Sequence, residues 1–128
     1  MGKKRQKRPA KKRSPMTFDD VRSLALSLPK VDEATSYGTP AFKVAGKLLA
    51  RLHQDGVSLV VKIDPEERTM RMKVDPDTFY ITDHYLNYPW ILVRIATVDP
   101  DDLLELLQDA WRLTAPSKLV SRLEDEGE

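Results

Sequence analysis

Apolar residues recur at helical spacing near both ends of the chain. The first set is Phe18, Val21, Leu24, Ala25 and Leu28. The second set is Leu103, Leu106, Leu107, Ala110 and Trp111. Each set lines one face of a helix with 3.6 residues per turn. This pattern predicts amphipathic helices over 18–28 and 100–114, with a short final helix over 117–123 after Pro116.

Three helix starts are marked by capping residues. Thr17 and Asp20 form the pattern of a capping box before the first helix. Asp64-Pro65 and Asp99-Pro100 each place a capping aspartate before a proline, which is favoured at the first helical position. We therefore expect a third helix after Asp64 and interpret these aspartates as caps rather than catalytic acids.

Between the helices the apolar positions alternate with a period of two, which is typical of β-strands. The segment up to Tyr37 is predicted to be extended. In 41–44, Phe42 and Val44 lie on the face opposite Lys43. In 47–52, the alternation places Leu48, Ala50 and Leu52 on one face and Lys47, Leu49 and Arg51 on the other. In 57–63, it separates Val57, Leu59, Val61 and Ile63 from Ser58, Val60 and Lys62.

Turn signals join these segments into an antiparallel meander. Gly46 and Asp55-Gly56 mark tight turns, and 78–82 and 91–98 are predicted as further strands. The fold class is therefore α+β, an antiparallel sheet of five to six strands packed on one face by the N-terminal and C-terminal helices. We predict three regions: a disordered basic arm at 1–15, a domain at 16–123 and a disordered acidic tail at 124–128.

Charge is distributed unevenly along the chain. The arm holds eight basic residues and no acid: Lys3, Lys4, Arg5, Lys7, Arg8, Lys11, Lys12 and Arg13. The other residues include 13 basic and 20 acidic side chains, although the whole chain has a net charge of only +1. A basic arm of this kind favours a polyanion partner without sequence preference, while the acidic domain argues against strong electrostatic binding by the domain alone.

Several classes of function are disfavoured by what the sequence lacks. It has no cysteine, which excludes disulfides and thiolate metal sites and suits a cytoplasmic location. No apolar run reaches membrane-spanning length. His53 and His84 do not have metal-ligand spacing, and no catalytic motif is present. We expect a protein without cofactor or enzymatic activity, with a monomer favoured.

Several motifs resemble those of the MmcQ/YjbR family. They lie at 28–33 (LPKVDE), 37–47 (YGTPAFKVAGK), 84–85 (HY), 88–90 (YPW), 98–100 (VDP) and 109–111 (DAW). The resemblance covers roughly 17–121 and implies a curved antiparallel sheet backed by helices, akin to the frataxin-like fold. It also implies a proposed DNA-binding role through a double wing of strand-connecting loops. Here the wings would be Val44–Leu48 and His53–Val57.

Two surfaces are candidates for binding. The first is a group of cations placed on one sheet face or in the adjoining turn: Lys43, Lys47, Arg51, Lys62 and Arg94. Such side chains can contact phosphates, but they equally fit a solvated sheet face. The second is an aromatic group that can stack on bases or on a planar ligand: Tyr37, His84, Tyr85, Tyr88 and Trp90. Its alternative is plain packing of Trp90 and one tyrosine under a turn.

The leading hypothesis from the sequence is a small non-enzymatic nucleic-acid-binding protein that contacts DNA phosphates without specificity. The alternative is a module that binds a protein or a small ligand through the aromatic segment 84–90 and the open sheet face. An enzyme without a recognisable motif is the third possibility. These hypotheses differ in whether the cations or the aromatic rings form the binding surface.

Overall fold

A computed structural model describes residues 15–126, in which the elements alternate much as the sequence predicts. Helix α1 (Phe18–Leu26) precedes four strands, β1 (Val31–Ser36), β2 (Thr39–Val44), β3 (Lys47–Leu52) and β4 (Ser58–Lys62). Next come α2 (Pro65–Val74), β5 (Phe79–Tyr80), a 3₁₀ turn (Asp83–Tyr85) and β6 (Trp90–Arg94). The chain ends in α3 (Pro100–Thr114) and α4 (Ser117–Glu126).

All six strands form one antiparallel sheet in the order β1-β2-β3-β4-β6-β5. The first four strands are a meander; its last three strands were predicted, and the segment predicted to be extended before Tyr37 adds β1. Two of its hairpins close through two residues with positive φ, Tyr37-Gly38 at 55° and 79° and Ala45-Gly46 at 52° and 77°. Positive φ at both positions is the signature of the type I′ turn, whose twist matches that of the paired strands.

One face of the sheet packs against α1 and α3 to form the core. Large side chains with no exposure, among them Val21, Phe42, Ile91 and Leu106, belong to this cluster. Trp111 on α3 lies at its edge and donates from Nε1 to the Pro29 carbonyl at 2.8 Å. The predicted α+β architecture, with terminal helices on one face of an antiparallel sheet, is confirmed.

The capping predictions are also confirmed. The Thr17 hydroxyl accepts from the Asp20 backbone, and the Asp20 carboxylate accepts from the Thr17 backbone. Asp64 and Asp99 each accept two backbone N–H groups in the first turn of α2 and α3. These carboxylates therefore stabilise helix N-termini, which is a sufficient reason for their presence.

The alternation predicted for 47–52 places Leu48 and Leu49 on the wrong faces. Phe42 pairs with Ala50 and Lys43 pairs with Leu48, so Leu49 has no partner on β2. An extra residue of this kind is a β-bulge, which shifts the side-chain alternation. As a result Leu49 joins Ala50 in the core, whereas Leu48 lies on the opposite face with Arg51.

Several boundaries differ from the prediction. Helix α1 ends at Leu26, since Ser27 caps it and donates its hydroxyl to the Leu24 carbonyl at 2.6 Å. Strand β6 ends at Arg94, because the Val98 amide turns back to the Arg94 carbonyl. Helix α4 continues to Glu126, into the predicted acidic tail 124–128. Residues 1–14 of the predicted arm lie outside the described residues. Among the residues that are described, no helix is long and apolar enough to cross a bilayer.

Candidate functional site

The sheet face opposite α1 and α3 is partly covered by residues 81–90, which we call the cover segment. Beneath it, cross-strand pairing aligns Arg51, Val60, Leu92 and Tyr80 across four neighbouring strands. Tyr85 packs on Val60 and Leu92 as a second buried cluster. This arrangement confirms that one tyrosine of the aromatic segment packs inside the fold.

A cavity of about 660 Å³ lies between the cover segment and the sheet. Its walls are largely aromatic, with rings from Tyr37, His84, Tyr85, Tyr88 and Trp90. Leu48 and Val60 add aliphatic surface, and Arg51, His53, Gln54 and Thr82 supply polar groups. An apolar concavity with a few converging polar groups is the usual form of a small-molecule site.

Arg51 is the buried cation of this cavity, with only 6% of its surface exposed. Its Nη2 donates to the Tyr85 hydroxyl at 3.0 Å. Its Nη1 donates to the Leu52 carbonyl at 3.2 Å and makes longer contacts of 3.4 and 3.5 Å with the Gln54 and Thr39 side-chain oxygens. Every one of these acceptors is neutral.

No carboxylate of the described residues pairs with Arg51. Ion pairs among them include those of Arg22, His53 and Arg71 with nearby acids. A buried charge is normally paired, because removing it from water without a counter-charge is unfavourable. The guanidinium is therefore held in place by hydrogen bonds, and none of the residues that the structure describes supplies an anion for its charge.

Tyr37 lies over this guanidinium, with its ring centroid 4.9 Å from the Arg51 Cζ atom. The tyrosine is 76% exposed and its φ of 55° is in the left-handed region. A non-glycine residue there is strained, and such strain is often retained at functional positions. The I′ turn thus places an exposed aromatic ring at the cavity mouth.

Arg68 of α2 fixes the cover segment from outside. Its Nη1 donates to the carbonyls of Tyr85, Tyr88 and Trp90 at 3.1, 2.7 and 3.0 Å, and its Nη2 donates to the Leu86 carbonyl at 3.0 Å. Charged donors make stronger hydrogen bonds than neutral ones. One side chain therefore holds four carbonyl groups of the segment that carries most of the aromatic wall.

The two histidines stand at different parts of the cavity. The His84 ring meets Tyr85 edge-on at 4.7 Å and lies 6.3 Å from the Tyr88 ring. His53 Nδ1 lies 3.3 Å from the Asp55 carboxylate. Burial alone would raise the pKa of Asp55, but hydrogen bonds from the Val57 and Ser58 amides, together with His53, lower it overall. Asp55 is thus held in its charged form in the β3–β4 turn.

The predicted cations divide into two groups. The strand register places Lys43, Arg51, Lys62 and Arg94 on the same sheet face, as expected. Arg51 is buried, however, and Arg94 stacks on the Tyr80 ring at 4.2 Å while donating to the Asp77 carbonyl. Lys62 lies 5.4 Å from the centre of the Trp90 ring. Lys47 is exposed in the β2–β3 hairpin.

The two predicted wings lie at opposite ends of β3, because successive turns of a meander alternate between the two ends of the strands. The Val44–Leu48 wing contains the Ala45-Gly46 turn. In the His53–Val57 wing, His53 contributes to the cavity. Both loops are described, whereas the cations of the arm lie outside the described residues. Within 15–126 no group of three or more potential metal ligands is found.

Sequence reasoning missed the polar residues that complete the site. Gln54 was not singled out as a site residue, although its side-chain oxygen accepts from Arg51 at 3.4 Å. Arg68 gave no signal, because its partners are 17 to 22 residues further along the chain and are all backbone carbonyls. The pairing of Arg51 with Tyr85 likewise joins residues 34 apart, and only the folded sheet brings them together.

Comparisons with known proteins agree with this fold. Uncharacterized proteins of Mycobacterium bovis and Mycobacterium tuberculosis are 41% identical to the chain over 46 residues. That match spans 36% of this chain and 36% of each relative, about a third of the relatives' length.

The crystal structure of a Deinococcus radiodurans protein that contains the domain DUF419 is also similar to this chain. It matches with a TM-score of 0.66 and 29% identity, over 77% of this chain and 78% of the other. The YjbR family model matches residues 26–113, which include every strand and nearly all of α3. The chain belongs to the YjbR family.

Proposed function

We propose that this protein binds a small organic ligand in the cavity under the cover segment, without catalysing a reaction. The observation that carries the proposal is the 660 Å³ cavity with aromatic walls and the buried cation Arg51, which no carboxylate of the described residues pairs. Its volume falls within the range of small-molecule sites, about 300–1,000 Å³. The aromatic group predicted from the sequence supplies the walls.

The way the cavity is built supports this role. Arg68 holds the cover segment by its carbonyls, and the Ile63 amide donates to the Pro89 carbonyl at 3.0 Å. Walls that are fixed before binding reduce the entropy lost when a ligand is ordered. Tyr88 at 58% exposure and Tyr37 remain accessible to an incoming molecule.

A fragment screen on the full chain tests the proposal. We expect fragments with aromatic rings to raise the melting temperature and to shift the amide NMR signals of residues 81–90. Leu48→Trp fills the cavity and should abolish both effects. Leu26→Trp, on exposed helix surface 41% accessible, is the matched control and should bind normally. Fragments that bind Leu48→Trp and the parent equally would disprove the site.

Nucleic-acid binding is a second candidate, favoured by one observation. Lys43 and Lys62 lie on the same sheet face, and Lys47 is exposed in the turn that follows Lys43. The arm adds eight more cations. Contacts of this kind release counterions, so affinity should fall steeply with salt. The DNA partner, any double-wing mode and the cytoplasmic location remain predictions.

Anisotropy titrations of a DNA duplex at two salt concentrations test this second candidate. We expect full-length protein to bind with a steep salt dependence and a chain that begins at Met16 to bind more weakly. In the shorter chain, the double replacement Lys43→Ala, Lys62→Ala should weaken binding further if the sheet face takes part. Affinity that does not change with salt would refute the electrostatic mechanism.

A further inference from the structure

The charge of Arg51 points to the chemistry of the ligand. A guanidinium has five N–H donors arranged in a planar fork that matches a carboxylate or a phosphate. In this site Arg51 is 6% exposed, borders the cavity and meets only neutral acceptors. An anionic group entering the cavity would supply the counter-charge that the described residues do not provide.

The contacts of Nη1 leave room for such a group. Its distances of 3.4 and 3.5 Å to Gln54 and Thr39 are at the long limit of a hydrogen bond. The Gln54 side chain can rotate aside, whereas the Thr39 hydroxyl is held by its bond to the Ser36 carbonyl at 3.0 Å and the bond to Tyr85 keeps the guanidinium oriented. An incoming anion would therefore replace the Gln54 contact and retain the bond to Tyr85.

The walls define the rest of the ligand. Tyr37 lies beside the guanidinium, and the rings of His84 and Tyr88 are 6.3 Å apart with an interplanar angle of 33°. Rings at such positions favour a flat partner that can stack or meet them edge-on. Flat walls next to one buried cation fit a molecule with a planar ring and an attached acid.

We infer that the site takes a planar organic anion, whose carboxylate or phosphate binds Arg51 and whose ring lies among Tyr37, His84 and Tyr88. This inference rests on the proposed function and adds the ligand class. Carboxylate and phosphate offer the same charged oxygens to the fork. Matched probes distinguish a carboxylate ligand from a phosphate ligand.

Two matched pairs of probes test the inference on the full chain. Indole-3-acetate is compared with indole-3-acetamide, and adenosine monophosphate with adenosine. We expect the charged member of at least one pair to bind about ten-fold more tightly or better, as charge-assisted hydrogen bonds allow. The pair that shows the preference identifies the acid as carboxylate or phosphate. NMR should place the shifts at the Arg51 Nε–H and at Tyr37.

Variants separate the acid from the ring. Arg51→Gln should remove the preference for the anion. Because the cations of the arm are all still present in this variant, the loss would be due to Arg51. Tyr37→Asn suits the left-handed turn position and should weaken both members of a pair alike. Comparing the pairs in the unaltered chain requires no variant, so a poorly folded Arg51→Gln protein does not prevent the test.

Three results would overturn the inference: equal affinity within both pairs, no binding by either anion, or shifts confined to residues 1–13. If aromatic fragments still bind under the cover segment, the proposed function stands and only the ligand class is wrong. If no fragment binds there either, both are wrong.

Discussion

The Arg68 guanidinium donates to the Tyr88 carbonyl at 2.7 Å and thereby connects α2 to the segment that covers the sheet. The same nitrogen also reaches the Tyr85 and Trp90 carbonyls. A charged donor shared by several carbonyls can replace the regular hydrogen bonding that a loop lacks. The shape of the cavity therefore depends on a residue that does not line it.

Replacing Arg68 should loosen the cover segment. We expect Arg68→Gln to lower the free energy of unfolding by about 1.5–3 kcal/mol, the usual contribution of hydrogen bonds to charged groups. Amide hydrogen exchange over 83–90 should accelerate, and affinity for cavity fragments should fall. Lys73→Gln, on the exposed surface of the same helix, is the control and should change neither. Unchanged exchange rates in Arg68→Gln would show that the segment is held by its own packing.

Ala45 offers a stabilising substitution. It has φ of 52° and precedes Gly46 in the β2–β3 turn, where Asn-Gly is the preferred pair. Ala45→Asn should raise the free energy of unfolding by about 0.5–1 kcal/mol, because the left-handed conformation is unfavourable for alanine. Ala45→Val, with a β-branched side chain, should lower it. Denaturant titration measures both, and the opposite order would refute the assigned turn.

Asp109 should make stability depend on pH. Burial, then the nearby Glu67 and Glu105 carboxylates, raise its pKa above 3.8, and Arg71 only partly opposes them. The folded chain therefore holds this proton more tightly than the unfolded chain. The resulting stabilisation is complete below the unfolded pKa of about 3.8 and is lost as pH rises through the folded pKa.

The corresponding variant is Asp109→Asn. It should melt at a higher temperature than the parent at pH 7, and the difference should vanish near pH 3. In a Glu105→Gln background the gain at pH 7 should be smaller, since one source of repulsion is already removed. Thermal melts across this pH range test the assignment, which a constant difference at all pH values would contradict.

Much of the fold could be predicted because its signals are local. Thr17 with Asp20, Asp64 and Asp99 each mark a helix start through groups within three residues. The alternation of 57–63 is likewise a local pattern, and the register confirms it. Leu49 shows the limit of this approach, because a bulge depends on how two strands pair and leaves no mark in either strand alone.

The candidate site could be predicted only in part for the same reason. The aromatic segment 84–90 was visible as a cluster in the sequence. The role of Arg51 was not, because alternation indicated a solvated face and the cover segment that buries it comes from about 30 residues later in the chain. Burial makes Arg51, which the alternation placed on an open sheet face, part of the cavity wall.

Trp111 packs in the core, and its indole Nε1 donates to the Pro29 carbonyl in the loop before β1. Trp111→Ala should lower the free energy of unfolding by about 3–5 kcal/mol, as expected for loss of a large buried side chain. Trp111→Phe keeps most of the apolar volume but leaves the Pro29 carbonyl without its 2.8 Å partner. Trp111→Phe should therefore lower the free energy of unfolding by about 1–3 kcal/mol. Chemical denaturation, followed by circular dichroism, resolves the two effects. If both variants were as stable as the parent, Trp111 would have no part in anchoring α3 to the loop before β1.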